Sequence, residues 1–269
     1  MNATARSPSA PPDAAARVAL PRENIHGHLE RVRWFRQHVE PQERAIEFGC
    51  GTGYMITYPM RVAGYDLIGV DLDRRSVEYG RSLLEQAGLD PGVLLACDFA
   101  EVPGEFDAVI ASEILEHLDD ADLAASLKLI RAKLRPGGRL LVTVPNGYGW
   151  YEFESFVWSK LHLDRLVEFA RTRLAGLRRA RWRMAGGPVD VLPSTLADSP
   201  HVRRFTLRSL RRTLEDAGFE VIDTRGSVLV SGPLTHLLFS GSPALIRLNA
   251  RLGRRLTPVA SGFYVAARP

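Results

Sequence analysis

Glycines and an acidic residue in the first half of the chain are spaced as in sites that bind a nucleotide-like ligand. Gly49, Gly51 and Gly53 form a Gly-x-Gly-x-Gly loop after a short apolar run. Glycines let the backbone approach a ligand closely and adopt positive φ without strain. Asp71 ends the next apolar run, where an acid can accept hydrogen bonds from both hydroxyls of a ribose. The spacing predicts a ligand site, and the alternative is that the glycines only form turns.

The residues around this loop narrow the ligand class. Asp98 and Phe99 close a third apolar run and suit an adenine ring through a hydrogen bond and apolar contact. Tyr54 and Met55 stand where a dinucleotide fingerprint requires its last glycine. Glu47 lies within the loop, where its charge disfavours a pyrophosphate and tolerates a zwitterionic sulfonium. A sulfonium nucleoside therefore fits better than NAD.

The segment 112–118 carries the candidate catalytic groups. Glu113, Glu116 and His117 are spaced i, i+3 and i+4, and on a helical turn they share one face. Two carboxylates and an imidazole suit a divalent cation, which lowers the pKa of a substrate hydroxyl. In a second interpretation His117 alone acts as general base. In a third the acids only form a solvated helix start, where carboxylates are favourable.

Alternating strands and helices must position these residues. Such alternation predicts an α/β fold, a doubly wound and mostly parallel sheet with helices on both faces. The predicted strands are 44–48, 67–70, 93–97, 106–111, 139–144, 219–224 and 263–267, and the predicted helices are 25–39, 52–63, 74–87, 119–134 and 206–217. Residues 150–184 look helical outside this alternation, and 227–256 look irregular. Ligands bind such sheets at the carboxyl ends of the strands, where the glycine loop and the acids lie.

Composition sets limits on the class of protein. Of the 269 residues, 45% are hydrophobic and 25% are charged, which is typical of a globular protein. The formal net charge of +4 is too small to indicate that the chain binds nucleic acid. The two cysteines do not indicate a disulfide framework, and they are consistent with a reducing cytoplasm. Residues 1–22, rich in Ala, Pro and Ser, are predicted to be a disordered leader before a domain at 23–269. We find no apolar run of membrane-spanning length.

Five segments in order resemble the class I S-adenosylmethionine-dependent methyltransferases. They are 47–53, 69–71, 97–98, 106–109 and 134–138. The match runs from about residue 30 to 145 and resumes at 205–219. The resemblance implies a Rossmann-like sheet of seven strands, the last antiparallel, with S-adenosyl-L-methionine as cofactor. It also implies that the glycine loop faces the methionine part, that Asp71 holds the ribose and that Asp98 with Phe99 flanks the adenine. The predicted cofactor-binding residues are Glu47, Gly49, Cys50, Gly51, Gly53, Asp71, Leu72, Asp98, Phe99 and Ser112.

The nearest resemblance in chemistry is to the ubiquinone-pathway-type O-methyltransferases. Methyltransferases acting on amides and exocyclic amines resemble one another in an Asp/Asn-Pro-Pro-Tyr segment, and this chain has Ser112-Glu113 there. The difference favours oxygen as the acceptor atom and leaves carbon open. The small-RNA 2′-O-methyltransferases also share Glu-x-x-Glu-His and add a distal histidine, for which His201 is the candidate. That alternative metal set is Glu113, Glu116, His117 and His201, while the main prediction has no metal.

Two insertions, 146–204 and 225–258, are predicted to form a lid or acceptor-binding region. Residues 161–184 combine seven arginines with apolar residues at helical spacing, as in helices that lie on an anionic membrane. The commoner interpretation is a solvated helix face. Residues 226–246 carry no charged side chain and are too interrupted by Pro and Gly to span a bilayer. Together, the two insertions favour an apolar or lipid-linked acceptor and peripheral membrane contact.

The sequence predicts an enzyme that methylates an oxygen of a small-molecule or lipid-linked acceptor. In-line displacement at the sulfonium methyl would depend mainly on binding and orientation. His117 is the first choice for the base and Glu113 for a polar contact to the acceptor. The alternatives are a metal-dependent RNA 2′-O-methyltransferase and a non-enzymatic cofactor-binding scaffold. The acceptor and the oligomeric state do not follow from the sequence.

Overall fold

Seven strands of the chain form one mixed sheet. The computed structural model describes residues 18–161, 202–239 and 241–269. Its strands are β1 (Ala45–Phe48), β2 (Leu67–Asp71), β3 (Leu94–Ala96), β4 (Phe106–Ser112), β5 (Leu134–Pro145), β6 (Glu220–Gly226) and β7 (Gly262–Arg268). Their order is β3-β2-β1-β4-β5-β7-β6, and β7 runs antiparallel to both of its neighbours. The predicted doubly wound α/β sheet is confirmed, including its antiparallel last strand.

Helices cover both faces of this sheet. They are α1 (His28–His38), α2 (Thr57–Val62), α3 (Arg74–Gln86), α4 (Asp120–Lys133), α5 (Trp150–Lys160), α6 (Leu207–Asp216), α7 (Pro233–Phe239) and α8 (Pro243–Arg255). Side chains alternate along β4, so Val109 packs in one apolar cluster with α4 and α6, and Ile110 packs in another with α1. Burial on both faces explains why the central strands are mostly apolar.

One predicted helix begins later than expected. The pattern predicted a helix over 52–63, but residues 51–56 form turns and α2 starts at Thr57. The buried carboxylate of Glu47 accepts hydrogen bonds from the backbone N and Oγ1 of Thr57, at 3.0 and 2.6 Å. Because the first amides of a helix lack partners within it, this acid satisfies one of them and fixes the start of α2.

The second insertion is helical where irregular structure was predicted. Residues 227–256 contain α7 and α8, each with a proline as its first residue. Proline is favourable at that position because its missing N–H would have no partner there. Ser242 caps α8 by accepting a hydrogen bond from Leu245 N. The two prolines, which we interpreted as breaks, are therefore helix starts.

The first insertion packs on the second. Helix α5 ends at Lys160, and the rest of the predicted helical stretch 150–184, with its arginines, lies outside the described residues. The buried Glu154 of α5 accepts hydrogen bonds from Trp150 and from the backbone and hydroxyl of Thr235 in α7. Its carboxylate therefore joins the two insertions. No helix within the described ranges is long and apolar enough to cross a membrane.

The chain is held against the fold from Val18 onward, earlier than the predicted leader boundary after residue 22. The hydroxyls of Tyr54 and Tyr58 donate to the carbonyls of Ala19 and Val18, at 2.8 and 2.7 Å. Residues 1–17 lie outside the described residues, so a disordered leader there stays a prediction.

Lowering the pH is expected to destabilise the fold through His28. This side chain is 2% exposed, and neither ring nitrogen has a hydrogen-bond partner among the described residues. Burial lowers the pKa of His28 from 6.5 to about 4. The unfolded chain therefore takes up the proton first, so the free energy of unfolding is highest above pH 6.5. It falls by up to about 3 kcal/mol as the pH drops toward 4.

Urea denaturation between pH 4 and 7 measures this effect. We expect His28→Leu to show a flatter dependence of the unfolding free energy on pH than the wild type. His236→Leu, at an exposed position on α7, is the matched control and should keep the wild-type dependence. Parallel curves for wild type and His28→Leu would contradict the assignment.

Candidate active site

Strand register brings the predicted residues to one edge of the sheet. Phe48 pairs with Val70 of β2 and Ala111 of β4. The next residues, Gly49, Asp71 and Ser112, therefore lie side by side at the carboxyl ends of three parallel strands. This edge is where α/β sheets bind ligands.

The glycine loop follows β1 and contacts the segment after β4. Gly49 has a φ of +73°, and a Cβ there would lie 2.6 Å from Cγ1 of Ile114. Gly51 has a φ of +54°, and its N–H donates to Oδ2 of Asp71 at 2.7 Å. Side chains would strain both positions. The loop is thus fixed between Asp71 on one side and Ile114 on the other.

Two residues predicted to bind the cofactor face the interior. Glu47 is 4% exposed and holds Thr57, and burial raises its pKa to about 8. Cys50 is buried against the apolar cluster of α3, and burial raises the pKa of its thiol. Their side chains shape the loop from within. The sequence pattern gave no information on the direction of these two side chains.

Asp71 and Leu72 lie at the end of β2 beside the loop. The carboxylate of Asp71 accepts the N–H of Gly51 and, at 2.8 Å, that of Asp73. Each carboxylate oxygen can accept a further hydrogen bond, so ribose hydroxyls remain compatible with this geometry. Leu72 is 76% exposed, and an apolar side chain at this edge suits the face of an adenine ring.

The predicted contact of Phe99 with adenine is wrong. Phe99 is 3% exposed and packs in the core against Phe48, with ring centroids 5.2 Å apart. Asp98 is exposed and accepts a hydrogen bond from Ala100 N at 2.7 Å. A short 3₁₀ turn, Phe99–Glu101, follows β3 and turns the ring inward. Only Asp98 of this pair remains at the ligand edge.

The predicted shared helical face of Glu113, Glu116 and His117 is also wrong. Glu113 has a φ of +54°, the left-handed region, and only Leu115–His117 form a 3₁₀ turn. Glu116 is 1% exposed, and burial together with the charge of Glu113 raises its pKa to about 9. Within the described ranges no group of three acids, histidines or cysteines is arranged to hold a metal ion. His201 lies outside those ranges.

A cavity of about 230 Å³ lies beside Glu113. Polar groups from five parts of the chain line it. They include His26, Arg31, Glu113, Tyr151, Ser231 and Tyr264. His117 is not among its lining residues. A larger groove of about 850 Å³, between α4 and α6, holds none of the predicted site residues, so we assign the chemistry to the smaller cavity.

Sequence reasoning missed His26 and Arg31. Arg31 lies 3.3 Å from the carboxylate of Glu113 and donates to Ser112 Oγ at 3.4 Å. Burial and the charge of Arg31 lower the pKa of His26. Burial also raises the pKa of Tyr264 to about 12. Among the described lining residues, Arg31 and Glu113 form an ion pair, and the lowered pKa of His26 favours a neutral imidazole. Both missed residues come from the N-terminal segment, and no local pattern indicates that it reaches β4.

Both the sequence and the fold resemble those of known proteins. The sequence matches the family described as "Methyltransferase domain" over residues 19–224. Ribosomal protein L11 methyltransferase from Ralstonia nicotianae is 35% identical over 112 residues, which are 42% of this chain and 35% of that protein. The corresponding protein from Ralstonia pickettii is 33% identical over the same shares. The match thus spans about a third of the length of these curated relatives.

Solved structures share the fold at low identity. A SAM-dependent methyltransferase from Archaeoglobus fulgidus superposes with a TM-score of 0.52 at 17% identity, over 89% of this chain and 92% of that one. The 1,6-didemethyltoxoflavin-N1-methyltransferase from Burkholderia thailandensis, solved with 1,6-didemethyltoxoflavin and S-adenosylhomocysteine, gives 0.52 at 17% identity, over 91% and 79%. These likenesses extend over nearly the whole chain.

Raising the pH is expected to destabilise the fold through Glu47. Its folded-state pKa of about 8 lies above its ordinary value of 4.5, so the folded state keeps a proton that the unfolded chain has lost. The contribution is full below pH 4.5 and disappears as the pH rises toward 8. Guanidinium denaturation at pH 5, 6.5 and 8 should show this decline in wild type and a weaker one in Glu47→Gln. Glu78→Gln, exposed on α3, is the control, and an equal decline in all three proteins would refute the assignment.

Proposed function

This chain belongs to the methyltransferase domain family, and we propose that it methylates an oxygen of a small-molecule or lipid-linked acceptor bound in the cavity beside Glu113. The chain is an S-adenosylmethionine-dependent methyltransferase with the α/β fold of that class. The atom methylated and the acceptor are the proposal. Its main support is the position of the polar cavity: Glu113 lines it, and the next residue, Ile114, lies against Gly49 of the glycine loop.

The donor is proposed to lie along the sheet edge from β3 to β4. Asp71 would accept the ribose hydroxyls, Leu72 and Asp98 would contact the adenine, and Gly49–Gly53 would follow the methionine part. Ser112 lies at the same level across β1. In this proposal the sulfonium methyl would lie at the carboxyl end of β4, toward Glu113. These groups lie close together because β1, β2 and β4 are neighbouring parallel strands that end at the same edge of the sheet.

Oxygen chemistry is supported by the groups that line the cavity. A hydroxyl attacks a methyl group better when a base removes its proton. His26 lines the cavity, and its lowered pKa keeps the imidazole neutral and able to accept a proton at pH 7. We propose His26 for this role and keep Glu113 as the polar contact to the acceptor. His117, the first choice from the sequence, is the alternative. The resemblance to ubiquinone-pathway-type O-methyltransferases is part of the same proposal.

A lipid-linked acceptor is supported by the surface of α5. Trp150, Phe153 and Phe156 are 44%, 56% and 60% exposed and share one face by helical spacing. Clustered exposed aromatics are typical of contact surfaces and of membrane interfaces. Tyr151 of the same helix lines the cavity, so an acceptor chain leaving the cavity would meet this face. Peripheral membrane contact through 161–184 remains a proposal.

Two other reactions are less well supported. RNA 2′-O-methylation with a metal would need Glu113, Glu116 and His117 on one side, and Glu116 is buried with a raised pKa. Nitrogen methylation is the chemistry in the name of the toxoflavin structure, and it needs no base when the amine is neutral. The product atom separates these possibilities.

Removing the carboxylate of Asp71 is predicted to weaken donor binding. We expect Asp71→Ala to lower the affinity for S-adenosylhomocysteine at least tenfold, about 1.4 kcal/mol, because two ribose hydroxyls and the Gly51 amide lose a charged acceptor. Asp73→Ala is the matched control, since Asp73 caps α3 and its loss costs about 1 kcal/mol of stability without a ligand contact. Titration calorimetry measures both, and equal affinities would contradict the donor site.

Methyl transfer is predicted to label oxygen and to depend on His26. Turnover with methyl-labelled cofactor across phenols, alcohols, amines and a long-chain phenol in micelles identifies the product atom. We expect labelled ethers, no effect of chelator, and a fall in kcat of roughly 100-fold in His26→Asn. His117→Asn is the control that should stay within tenfold. Labelled amines, or a greater loss in His117→Asn, would contradict the proposal.

A further inference from the structure

The carboxylate of Glu113 is fixed at the cavity wall before any ligand binds. The backbone N–H of Glu113 donates to the carbonyl of Thr143 at 2.8 Å, and Oε1 of its side chain accepts from Thr143 Oγ1 at 3.0 Å. Arg31 Nη2 lies 3.3 Å from the same Oε1. Both side-chain contacts use one oxygen, and no contact to Oε2 occurs among the described residues. The side chain is 34% exposed, so Oε2 is available to a hydroxyl.

Glu113 is also the one non-glycine residue in the described ranges with positive φ, at +54°. Such a backbone is strained and persists only where surrounding contacts enforce it. Thr143 and Arg31 supply these contacts. Residues in this conformation cluster at functional sites, and here the strained residue lies between the cavity and the glycine loop.

Arg31 is a cation at the wall of the same cavity. Its side chain is only 15% exposed, and burying a guanidinium is unfavourable unless charges and donors are matched. The guanidinium has five N–H donors. Its partners are Ser112, Glu113 and the hydroxyl of Tyr264, so donors remain for a further oxygen. The charge of Glu113 is the largest influence raising the pKa of Arg31.

Among the described residues, Arg31 and Glu113 are the charged groups that line this cavity. The pKa of His26 is lowered, which leaves the imidazole neutral, and the raised pKa of Glu116 leaves that acid protonated. A ligand in the cavity therefore meets a carboxylate oxygen of Glu113 that accepts hydrogen bonds, next to the guanidinium of Arg31, which donates them. The complementary ligand has a hydroxyl next to an oxygen that only accepts hydrogen bonds.

We propose that Arg31 and Glu113 select acceptors in which the hydroxyl to be methylated has a carbonyl or carboxylate group on the neighbouring carbon. The hydroxyl binds Glu113 Oε2, and the neighbouring oxygen binds the Arg31 guanidinium. This inference rests on the proposed function and names the acceptor class for the same site.

The transfer step balances with these groups in place. The hydroxyl proton leaves its hydrogen bond to Glu113 Oε2 and moves to the imidazole of His26, and an oxygen lone pair forms the new O–CH₃ bond. The S–CH₃ bond breaks, and its electrons go to sulfur, so the sulfonium leaves as the neutral thioether S-adenosylhomocysteine. The guanidinium of Arg31 stabilises the negative charge that develops on oxygen before the new bond is complete.

The test compares acceptor isomers with the wild-type protein. Affinities of 2-hydroxybenzoate, 4-hydroxybenzoate and phenol are measured by calorimetry with saturating S-adenosylhomocysteine. We expect 2-hydroxybenzoate to bind at least tenfold more tightly than either other compound. Equal affinities, or no binding of 2-hydroxybenzoate, would overturn the inference, and this comparison uses only the wild-type protein.

Variants locate the preference. Arg31→Lys keeps the charge and loses the planar fork of donors, and we expect the isomer preference to fall below threefold. Arg36→Lys, on the same helix and bonded to Tyr65 outside the cavity, should keep the wild-type preference. An unchanged preference in Arg31→Lys would overturn the role of Arg31.

The product assay separates this inference from the proposed function. If phenols become labelled on oxygen whatever their neighbouring group, the inference fails and oxygen methylation stands. If 2-hydroxybenzoate binds with the expected preference but label reaches only nitrogen acceptors, the recognition stands and the proposed function fails.

Discussion

The contact between Gly49 and Ile114 is the constraint on which the site depends. A side chain at residue 49 would occupy the space of Ile114, so only glycine lets the loop after β1 meet the segment after β4. Ile114 directly follows Glu113, whose left-handed backbone directs the chain away from β4. The proposed donor loop therefore lies against the side chain of the residue that follows Glu113, which lines the proposed acceptor cavity.

Burial controls the charges around this contact. Glu47 and Glu116 are both nearly inaccessible and both have raised pKa values, so they contribute hydrogen bonding and shape rather than charge at neutral pH. Arg31 and Glu113 form an ion pair, with a nitrogen of the guanidinium 3.3 Å from a carboxylate oxygen. A site with several ionisable groups therefore presents one oriented ion pair, and that arrangement is what gives the cavity a directional preference for its ligand.

Local patterns predicted the strands, the glycine loop and the acid at the end of β2, because these depend on short runs of residues. They failed where direction depends on packing. Phe99 was assigned to the ligand edge, but a short turn places its ring in the core. Glu116 was placed on an exposed helical face, but the segment is a 3₁₀ turn after a left-handed residue. Contacts between distant segments, such as Arg31 with Ser112, have no signature in the sequence.

A crystal structure with S-adenosylhomocysteine tests the account most directly, because the central claim is that Gly49 and Glu113 place the donor and acceptor on opposite sides of one contact. We predict that the ribose hydroxyls bind Asp71 and that the sulfur faces the cavity lined by Arg31, Glu113 and His26. A ligand whose sulfur faces away from Glu113, or one bound in the groove between α4 and α6, would contradict the account.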